Sequence, residues 1–325
     1  MINYRKEDIQ MQILTDSDIQ EVYKINHAIE DVKLVLDDFR NDRLVEAKRI
    51  VLPASDSSSM LYMPCISTAQ KVSIIKTVSI FPDNADLPTT QGNILVSNLN
   101  DGKHIASLEA SYLTRLRTGA MTAIATDKLA RKDSKVLGVI GTGRMAFEQV
   151  LGVLEVRDIN RILLFNRTRS KAETFKKDLE DFGVDTDIEV VNEVGDLVGE
   201  SDILNCATQS KTPVFDGSNL KSGTHINGVG SFTPEMIEMD IETVKRADQI
   251  YLDDINGAKE EAGEIIKAVE DGVITWNDIK GTLVDIFEKD YLRNSNEDIT
   301  LYKCVGAGYF DLAVANGVMK IKNLK

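Results

Sequence analysis

The sequence is poor in the residues that build disulfide frameworks and metal sites. Its 325 residues include three cysteines and three histidines. The cysteines, Cys65, Cys206 and Cys304, are widely spaced, with no CxxC pair and no neighbouring histidine. We therefore expect reduced, buried thiols, and neither a disulfide framework nor a metal site.

Long apolar runs and positive charge are scarce as well. No run approaches the roughly 18 apolar residues that cross a bilayer, and residues 1–8 contain no hydrophobic signal segment. The chain has 38 Lys and Arg against 52 Asp and Glu, a formal net charge of −14. A phosphate backbone or an acidic membrane surface would be repelled at long range. These features predict a soluble, cytoplasmic protein with no nucleic acid and no membrane as a partner.

A glycine-rich turn is the most informative motif that is present. The short apolar run Val136–Ile140 is typical of a buried parallel strand. Gly141 can adopt backbone angles closed to other residues, and Gly143 lets the main chain approach a pyrophosphate. The free N–H groups of the helix that follows favour an anion. An ordinary strand–turn–helix is the alternative, but the context favours a dinucleotide site formed by Gly141, Thr142, Gly143, Arg144, Met145 and Ala146.

The second half of the chain alternates strands and helices, as a doubly wound parallel sheet does. With 42% hydrophobic residues, the chain is long enough for two domains with substantial cores. We place a Rossmann dinucleotide-binding domain at residues 119–300, and expect the alternation to end near the segment Thr300–Gly306. The predicted strands are Val136–Ile140, Arg161–Phe165, Ile188–Val191, Ile203–Ala207, His225–Gly230 and Gln249–Asp253. The cofactor-binding residues that we assign to the strand ends are Ala207, Thr208, Val229 and Gly230.

The first part of the chain has a different pattern. Apolar residues at helical spacing predict one helix from a cap at Asp16 to about Asn41. Residues 49–109 read as short strands without intervening helices, which indicates an antiparallel or mixed sheet separate from the first. A long helix is predicted over Ser111–Leu129, and a last apolar helix over Phe310–Met319 could return to this sheet. The fold class is therefore α/β, with an α+β domain at 1–118 completed by 301–325.

The end of the second Rossmann strand selects the cofactor. An acidic residue there would bind the ribose diol of NAD, but this chain has Asn166, Arg167 and Thr168, followed by the basic residues Arg169 and Lys171. Arginine pairs well with a 2′-phosphate, so NADP(H) is the preferred cofactor and NAD(H) is possible. The alternative is that these are exposed basic residues at a helix start.

Three cations stand in or beside apolar stretches: Arg49, Lys76 and Arg117. Lys76 lies within Val72–Ile80, where a buried strand would not otherwise tolerate a charge. Alternation could equally place Lys76 on a solvated face, and Arg117 could be a surface arginine whose stem covers apolar residues. His225 is better interpreted as a hydrogen-bonded strand residue than as a base.

Six segments of the chain form an ordered set of motifs: Lys76–Asn84, Thr90–Gly92, Leu113–Ala120, Gly141–Ala146, Asn227–Gly230 and Ile299–Gly306. In these segments the sequence resembles the ornithine cyclodeaminase/mu-crystallin family. The resemblance implies a homodimer whose N-terminal domain, completed by the C-terminal segment, holds the dimer contact and the substrate site. It also implies that Arg49, Lys76 and Arg117 bind the carboxylate and imine region of a small amino or imino acid that faces the nicotinamide.

Two positions differ from the cyclodeaminases of that family. The glutamate expected two residues before Met63 is Leu61, and the aspartate expected after the Asn227–Gly230 strand is Phe232. A pocket with Leu61 and Phe232 resembles the ketimine-reductase branch. We therefore predict an NAD(P)H-dependent oxidoreductase acting on a C–N bond, reducing a cyclic ketimine such as pyrroline-2-carboxylate to L-proline. Ornithine cyclodeaminase, an alanine-type dehydrogenase and a non-catalytic NADPH-binding protein are the alternatives.

Overall fold

The computed structural model describes residues 11–324, and its first elements are two helices and a set of short strands. A 19-residue helix, α3, closes this part of the chain and has the predicted bounds. In chain order the elements are β1 (Gln12–Leu14), α1 (Asp16–Val22), α2 (Ile25–Arg40), β2 (Leu44–Glu46), β3 (Ile50–Pro53), β4 (Ser59–Ser67), β5 (Val72–Ile80), β6 (Thr90–Asn98), β7 (His104–Glu109) and α3 (Ser111–Leu129).

The rest of the chain alternates strands and helices, as the sequence predicts. Its elements are β8 (Val136–Ile140), α4 (Arg144–Val156), β9 (Arg161–Phe165), α5 (Arg169–Phe182), β10 (Asp187–Val190), α6 (Val194–Glu200), β11 (Ile203–Cys206), β12 (His225–Gly228), α7 (Ile241–Arg246), β13 (Gln249–Leu252), α8 (Ile255–Glu261), α9 (Gly263–Glu270), β14 (Ile279–Thr282), α10 (Leu283–Phe287), β15 (Thr300–Lys303) and α11 (Gly308–Ile321).

The chain divides into two compact units. The first runs to Thr114 and resumes at Gly308, and the second is Arg115–Ala307. Helix α3 therefore begins in the first unit and continues in the second. The sequence placed the domain changes at 118/119 and 300/301. Strand β15 belongs to the second unit because it pairs with β12 and β13.

The first unit is built on a mixed sheet. Among the described residues its strands follow the order β1-β7-β6-β5-β4-β2, with β3 also paired to β4. The pairs of β2 to β7 are antiparallel, whereas β1 runs parallel to β7. Helix α11 packs against α2 and β4, and nearly all of its residues are buried. The C-terminal helix thus completes the core of this unit.

The single N-terminal helix that the sequence predicts is two helices. Thr15, rather than Asp16, caps α1, and Tyr23 between α1 and α2 has an extended backbone. The Tyr23 side chain is fully buried and its hydroxyl donates to Asp31, while its carbonyl accepts a hydrogen bond from the Tyr112 hydroxyl. These buried contacts require the extended backbone, so tertiary packing interrupts the helical pattern.

The second unit is built on a parallel sheet in which every strand pair is parallel. Its strand order among the described residues is β10-β9-β8-β11-β12-β15-β13-β14, which reverses direction between β8 and β11. All six predicted strands are present. Strand β15, which the sequence did not predict, lies inside the sheet between β12 and β13. Its sequence, Thr-Leu-Tyr-Lys, lacks the apolar run of a buried strand, yet all four residues are buried.

Arg157 anchors the end of α3 within the second unit. Its buried guanidinium donates to the carbonyl oxygens of Thr126 at 2.9 Å, Asp127 at 2.8 Å and Ala130 at 3.0 Å. The last carbonyls of a helix lack partners within the helix, and a cation there complements its dipole. Arg157 therefore stabilises the end of the helix that also carries Arg117.

The cysteines are free and buried, as expected. Burial raises the pKa of the Cys65 thiol to about 12, and it raises the pKa of Cys206 and Cys304 well above the ordinary range. These thiols are therefore protonated core residues. No helix within residues 11–324 combines the length and the apolar character that a bilayer crossing requires.

Candidate functional site

The glycine turn connects β8 to α4 where the order of the parallel sheet reverses. Gly141 has φ of +89°, and a Cβ there would lie 2.8 Å from the carbonyl oxygen of Ala207. A Cβ on Gly143, the N-cap of α4, would meet nothing within 4 Å. Ala146 is fully buried. Gly141 is thus required by the turn, and Gly143 leaves the N-terminus of α4 accessible to a pyrophosphate, so these residues fit a dinucleotide.

Asn166 links the end of β9 to this turn. Its Nδ2 donates to Oγ1 of Thr142 at 2.7 Å, and its Oδ1 accepts from the N–H of Thr168 at 3.1 Å. The amide therefore holds two of the predicted cofactor-binding segments together. At the start of α4, Arg144 is exposed and Met145 is half-buried.

The two arginines after Asn166 differ in their surroundings. Arg169 forms an ion pair with Glu173 at 2.9 Å and also donates to Asn192 and to the Val190 carbonyl. Arg167 is exposed beside the strand end. Of these two cations, Arg169 is engaged with protein groups, so Arg167 is the better candidate for a 2′-phosphate.

Glu238, which the sequence reasoning missed, connects the ends of β11 and β12. Its fully buried carboxylate accepts hydrogen bonds from the N–H groups of Thr208 at 2.5 Å, Gly230 at 2.8 Å and Ser231 at 3.0 Å. Burial raises the pKa of Glu238, while the Lys303 ammonium opposes that rise. Glu238 lies in a loop whose polar and apolar residues follow neither helix nor strand periodicity, so the sequence pattern did not identify it.

A second buried charge cluster supports the same loop. The Lys303 ammonium donates to the Ser231 carbonyl at 2.7 Å and lies 3.3 Å from Oε1 of Glu264. The Ser231 hydroxyl donates to Glu264 at 2.9 Å. Phe232, the next residue, is half-buried, and Val229, before the loop, is 7% exposed. An ion pair and hydrogen bonds thus hold the main chain at Ser231, next to Gly230.

Arg117 lies against the main chain of Gly306 in the second unit. It is 7% exposed, so the alternative of a surface arginine is wrong. Gly306 has φ of +88°, and a Cβ there would lie 2.7 Å from Nη2 of Arg117. The Asp253 carboxylate accepts from the N–H groups of Val305 at 3.0 Å and Gly306 at 2.5 Å, and burial raises the pKa of Asp253. Only glycine at position 306, which has no Cβ, leaves space for the Arg117 guanidinium.

Lys76 lies in the first unit and is 3% exposed, so the alternative of a solvated lysine is wrong. Its ammonium donates to Oδ1 of Asp311 at 2.7 Å and to Oγ1 of Thr114 at 2.8 Å. Its partners on the neighbouring strands are Met63 and Ile94. Asp311 was also missed, because it lies 235 residues away on α11 and only the folded chain pairs it with Lys76.

The same sheet brings two more predicted residues close to Lys76. Leu61 lies two residues before Met63 on β4, and Met63 is paired with Lys76, so Leu61 shares the face of Lys76. Its side chain is buried, with 9% exposed. Strand β3 pairs Val51 with Leu61, and continuing that register by one residue past the start of β3 would place Arg49 opposite Met63. Arg49 is half-buried. The first unit thus gathers Arg49, Leu61 and Lys76 around Met63.

His225 is a structural residue, as the sequence indicates. It is fully buried, with Nδ1 at 2.9 Å from Oγ1 of Thr300 and Nε2 at 3.1 Å from Oδ1 of Asn227. Burial and the nearby Arg293 lower its pKa to about 3. His225 is therefore neutral near pH 7. Within residues 11–324, no group of three or more His, Cys, Asp or Glu side chains is arranged to hold a metal ion.

Proteins of one family share this architecture over nearly their whole length. The chain matches the ornithine cyclodeaminase/mu-crystallin family over residues 9–322. It is 32% identical over 309 residues to a Delta(1)-pyrroline-2-carboxylate reductase from Bacillus cereus, covering 94% of each chain.

Two solved structures extend the similarity to three dimensions. A Delta(1)-pyrroline-2-carboxylate reductase from Thermococcus litoralis, in complex with NADH and L-proline, superposes with a TM-score of 0.91 at 31% identity, over 96% of this chain and 98% of the other. An archaeal alanine dehydrogenase dimer with bound NAD superposes with a TM-score of 0.88 at 30% identity, over 96% of both chains. The predicted α/β fold class with a Rossmann-type domain is confirmed. By its sequence and by its fold, the chain belongs to the ornithine cyclodeaminase/mu-crystallin family.

Proposed function

We propose that this protein is an NAD(P)H-dependent oxidoreductase that reduces the C=N bond of a cyclic imino acid such as pyrroline-2-carboxylate. The Lys76 ammonium, buried beside Asp311 and Thr114 on an apolar sheet face, carries the proposal. Reduction of an imine requires a proton at nitrogen when hydride reaches carbon, and a positioned ammonium supplies one. The relatives from Bacillus cereus and Thermococcus litoralis, described as pyrroline-2-carboxylate reductases, support the same chemistry.

The three cations then divide two tasks between them. Arg49 and Arg117 bind the substrate carboxylate, since a guanidinium can donate two parallel hydrogen bonds to it. Lys76 donates a proton to the imine nitrogen, and Asp311 and Thr114 hold its Nζ in position. The bound nicotinamide supplies the hydride. The imine carbon gains that hydride and the nitrogen gains the proton, so the product is a cyclic secondary amine, and Lys76 recovers its proton from solvent.

The second unit would hold the cofactor in three places. The pyrophosphate would lie at the N-terminus of α4, against the main chain of Gly141–Ala146. Asn166, Arg167 and Thr168 would contact the adenosine ribose. The nicotinamide end would lie at the ends of β11 and β12, where Ala207, Thr208, Val229 and Gly230 form the main chain.

The rival activities fit these residues less well. Leu61 is apolar and lies on the face that presents Lys76, and Phe232 likewise offers no carboxylate to a second ammonium. A non-catalytic NADPH-binding protein would have no need of three cations, Arg49, Lys76 and Arg117, to hold a substrate carboxylate and imine. An alanine-type dehydrogenase remains a second candidate, favoured by the similarity to the archaeal alanine dehydrogenase.

We expect NADPH oxidation when the purified protein is given pyrroline-2-carboxylate, and no comparable ammonia release from L-ornithine. The side-chain ammonium of ornithine would lose water beside Leu61 and Phe232 without gaining a carboxylate, a cost of several kcal/mol. The ornithine reaction should therefore be at least about 100-fold slower. NADPH absorbance and released ammonia measure the two reactions, with piperideine-2-carboxylate and pyruvate plus ammonia as further substrates.

Comparable ammonia release from ornithine would return the assignment to a cyclodeaminase. Faster NADPH oxidation with pyruvate and ammonia than with either cyclic imine would instead favour the dehydrogenase. A protein that binds the cofactor and turns over none of these substrates would contradict the proposed reaction.

The double variant Lys76→Met/Asp311→Asn should fold, bind the cofactor like the wild type and lose turnover by about 100-fold or more, because it lacks the proton donor. Both partners are replaced because Lys76→Ala alone would leave Asp311 buried without its ammonium, at a cost of about 3–5 kcal/mol. Stopped-flow NADPH oxidation and thermal unfolding measure turnover and folding.

The matched control is Lys320→Met on α11. Lys320 also pairs with a carboxylate of the first unit, Asp31 at 3.3 Å, but its side chain is 48% exposed. This variant should keep wild-type turnover. Turnover within a few-fold of the wild type in the folded double variant would show that Lys76 is structural.

We further propose that Arg167 favours NADPH over NADH. The relatives described above hold NADH or NAD, so this preference rests on the residues of this chain alone. Arg167→Ala should weaken NADPH binding by about tenfold and leave NADH binding unchanged, as measured by fluorescence titration. Arg169→Ala, whose guanidinium already contacts Glu173, is the control and should change the preference little. Tighter NADH binding by the wild type would contradict the assignment.

We also propose a homodimer in which a second copy covers β3. Ile50, Val51 and Leu52 are 48–53% exposed on consecutive positions, and exposed apolar strands of this kind are usually paired or covered. The archaeal relative is described as a dimer. Leu52→Lys should shift the mass measured by light scattering towards that of one 36.0 kDa chain. Leu34→Lys on α2, an equally exposed leucine at 51%, should leave the assembly unchanged. A wild type that is monomeric at micromolar concentration would contradict the proposal.

A further inference from the structure

Glu238 binds equivalent positions on two neighbouring strands of the second unit. Thr208 follows the end of β11 by two residues, and Gly230 follows the end of β12 by two residues. The two strands are parallel and in register, with Cys206 opposite Gly228. A single carboxylate therefore bridges the strands just beyond the point where their ladder stops.

The main chain at this point needs such an acceptor. The last ladder bonds run from the N–H of Ala207 to Ile140 at 2.9 Å and from the N–H of Val229 to Cys206 at 3.0 Å. The N–H groups that follow require another partner, because a buried donor without an acceptor is costly. Glu238 accepts from three of them. An ionised carboxylate is suited to this role since both of its oxygens only accept.

Fixing these N–H groups also fixes the carbonyl groups of the same peptide units. A peptide unit is planar, with its N–H and C=O directed oppositely. The carbonyls of Ala207, Val229 and Gly230 are therefore turned away from Glu238. A Cβ on Gly141 would lie only 2.8 Å from the Ala207 oxygen, so this carbonyl lies beside the glycine turn.

We propose that Glu238 is a positioning residue for the nicotinamide end of the cofactor, holding the main chain after β11 and β12 in the geometry that the nicotinamide carboxamide and ring contact. The inference rests on the proposed function, because it takes a dinucleotide to bind at these strand ends. Lys303 and Glu264 also hold Ser231, so they act with Glu238 on one loop.

A purely structural role is the competing explanation, and Asp202 provides the comparison. Asp202 is 6% exposed and its carboxylate accepts from the N–H groups of Lys135 at 2.7 Å and Val136 at 3.0 Å. It satisfies main-chain donors as Glu238 does, but at the amino end of β8, the edge of the same sheet opposite to the glycine turn. Loss of either carboxylate should destabilise the unit, whereas only Glu238 should affect the nicotinamide.

The experiment measures two affinities for the wild type, Glu238→Gln and Asp202→Asn: that for NADPH and that for its adenine-end fragment 2′,5′-ADP. If the wild type prefers NADH, the two ligands are NADH and 5′-AMP instead. Glutamine must turn its own NH2 group towards at least one main-chain N–H. Glu238→Gln should bind the fragment within twofold of the wild type but the whole cofactor about tenfold more weakly. Asp202→Asn should lower the melting temperature and leave both affinities within twofold.

Equal weakening of fragment and cofactor in Glu238→Gln, or the same loss of cofactor affinity in Asp202→Asn, would show a structural role and overturn the proposal. If Glu238→Gln does not fold, Glu238→Asp decides by the same comparison, because it keeps the charge and moves it by one methylene. Wild-type cofactor affinity in Glu238→Asp would then overturn the proposal. A wild type that binds the cofactor but reduces no imine contradicts the proposed reaction alone, whereas one that binds neither cofactor contradicts both.

Discussion

The burial of the Lys76–Asp311 ion pair is the constraint that links the sheet of the first unit to its C-terminal helix. The pair joins the middle of β5 to α11 across 235 residues of sequence, and both side chains are almost completely buried. A charge in such surroundings is tolerated only with an opposite charge and hydrogen bonds. The pair therefore fixes where the C-terminal helix lies on the sheet, and in the proposed reaction it also presents the proton donor.

In the second unit, buried carboxylates have a different role: they accept hydrogen bonds from main-chain N–H groups at the ends of strands. Glu238, Asp202 and Asp253 each accept hydrogen bonds from main-chain N–H groups beside a strand end. Parallel strands that end inside a protein leave such groups without ladder partners, and a carboxylate can accept from several at once. Of these acids, Glu238 lies at the strand ends where the cofactor is proposed to bind.

The sequence predicts those parts of the structure whose determining residues lie within one short segment of the chain. The glycine turn, the bounds of α3 and the six apolar strands are local patterns, and all are found in the structure. Strand β15 was missed because Thr300 and Lys303 find their partners only in the folded chain, and the break between α1 and α2 depends on distant contacts of Tyr23. Asp311 escaped for the same reason, since Lys76 lies 235 residues away. Glu238 escaped because it bridges two strand ends, with Thr208 30 residues away and Gly230 eight residues away. The motif segments identified the family, but the partners of Lys76 required the fold.

The two units also differ in whether one continuous segment of the chain forms them, and this difference affects the order in which they fold during synthesis. The second unit is one uninterrupted segment, whereas the first needs α11 from the far end of the chain. Domains fold largely as units while the chain is made, so the unit that begins first is completed last. Until α11 leaves the ribosome, Lys76 has no Asp311, and the sheet around it lacks the helix that covers it. A nascent chain would therefore assemble the parallel sheet of the second unit before the Lys76–Asp311 pair can form.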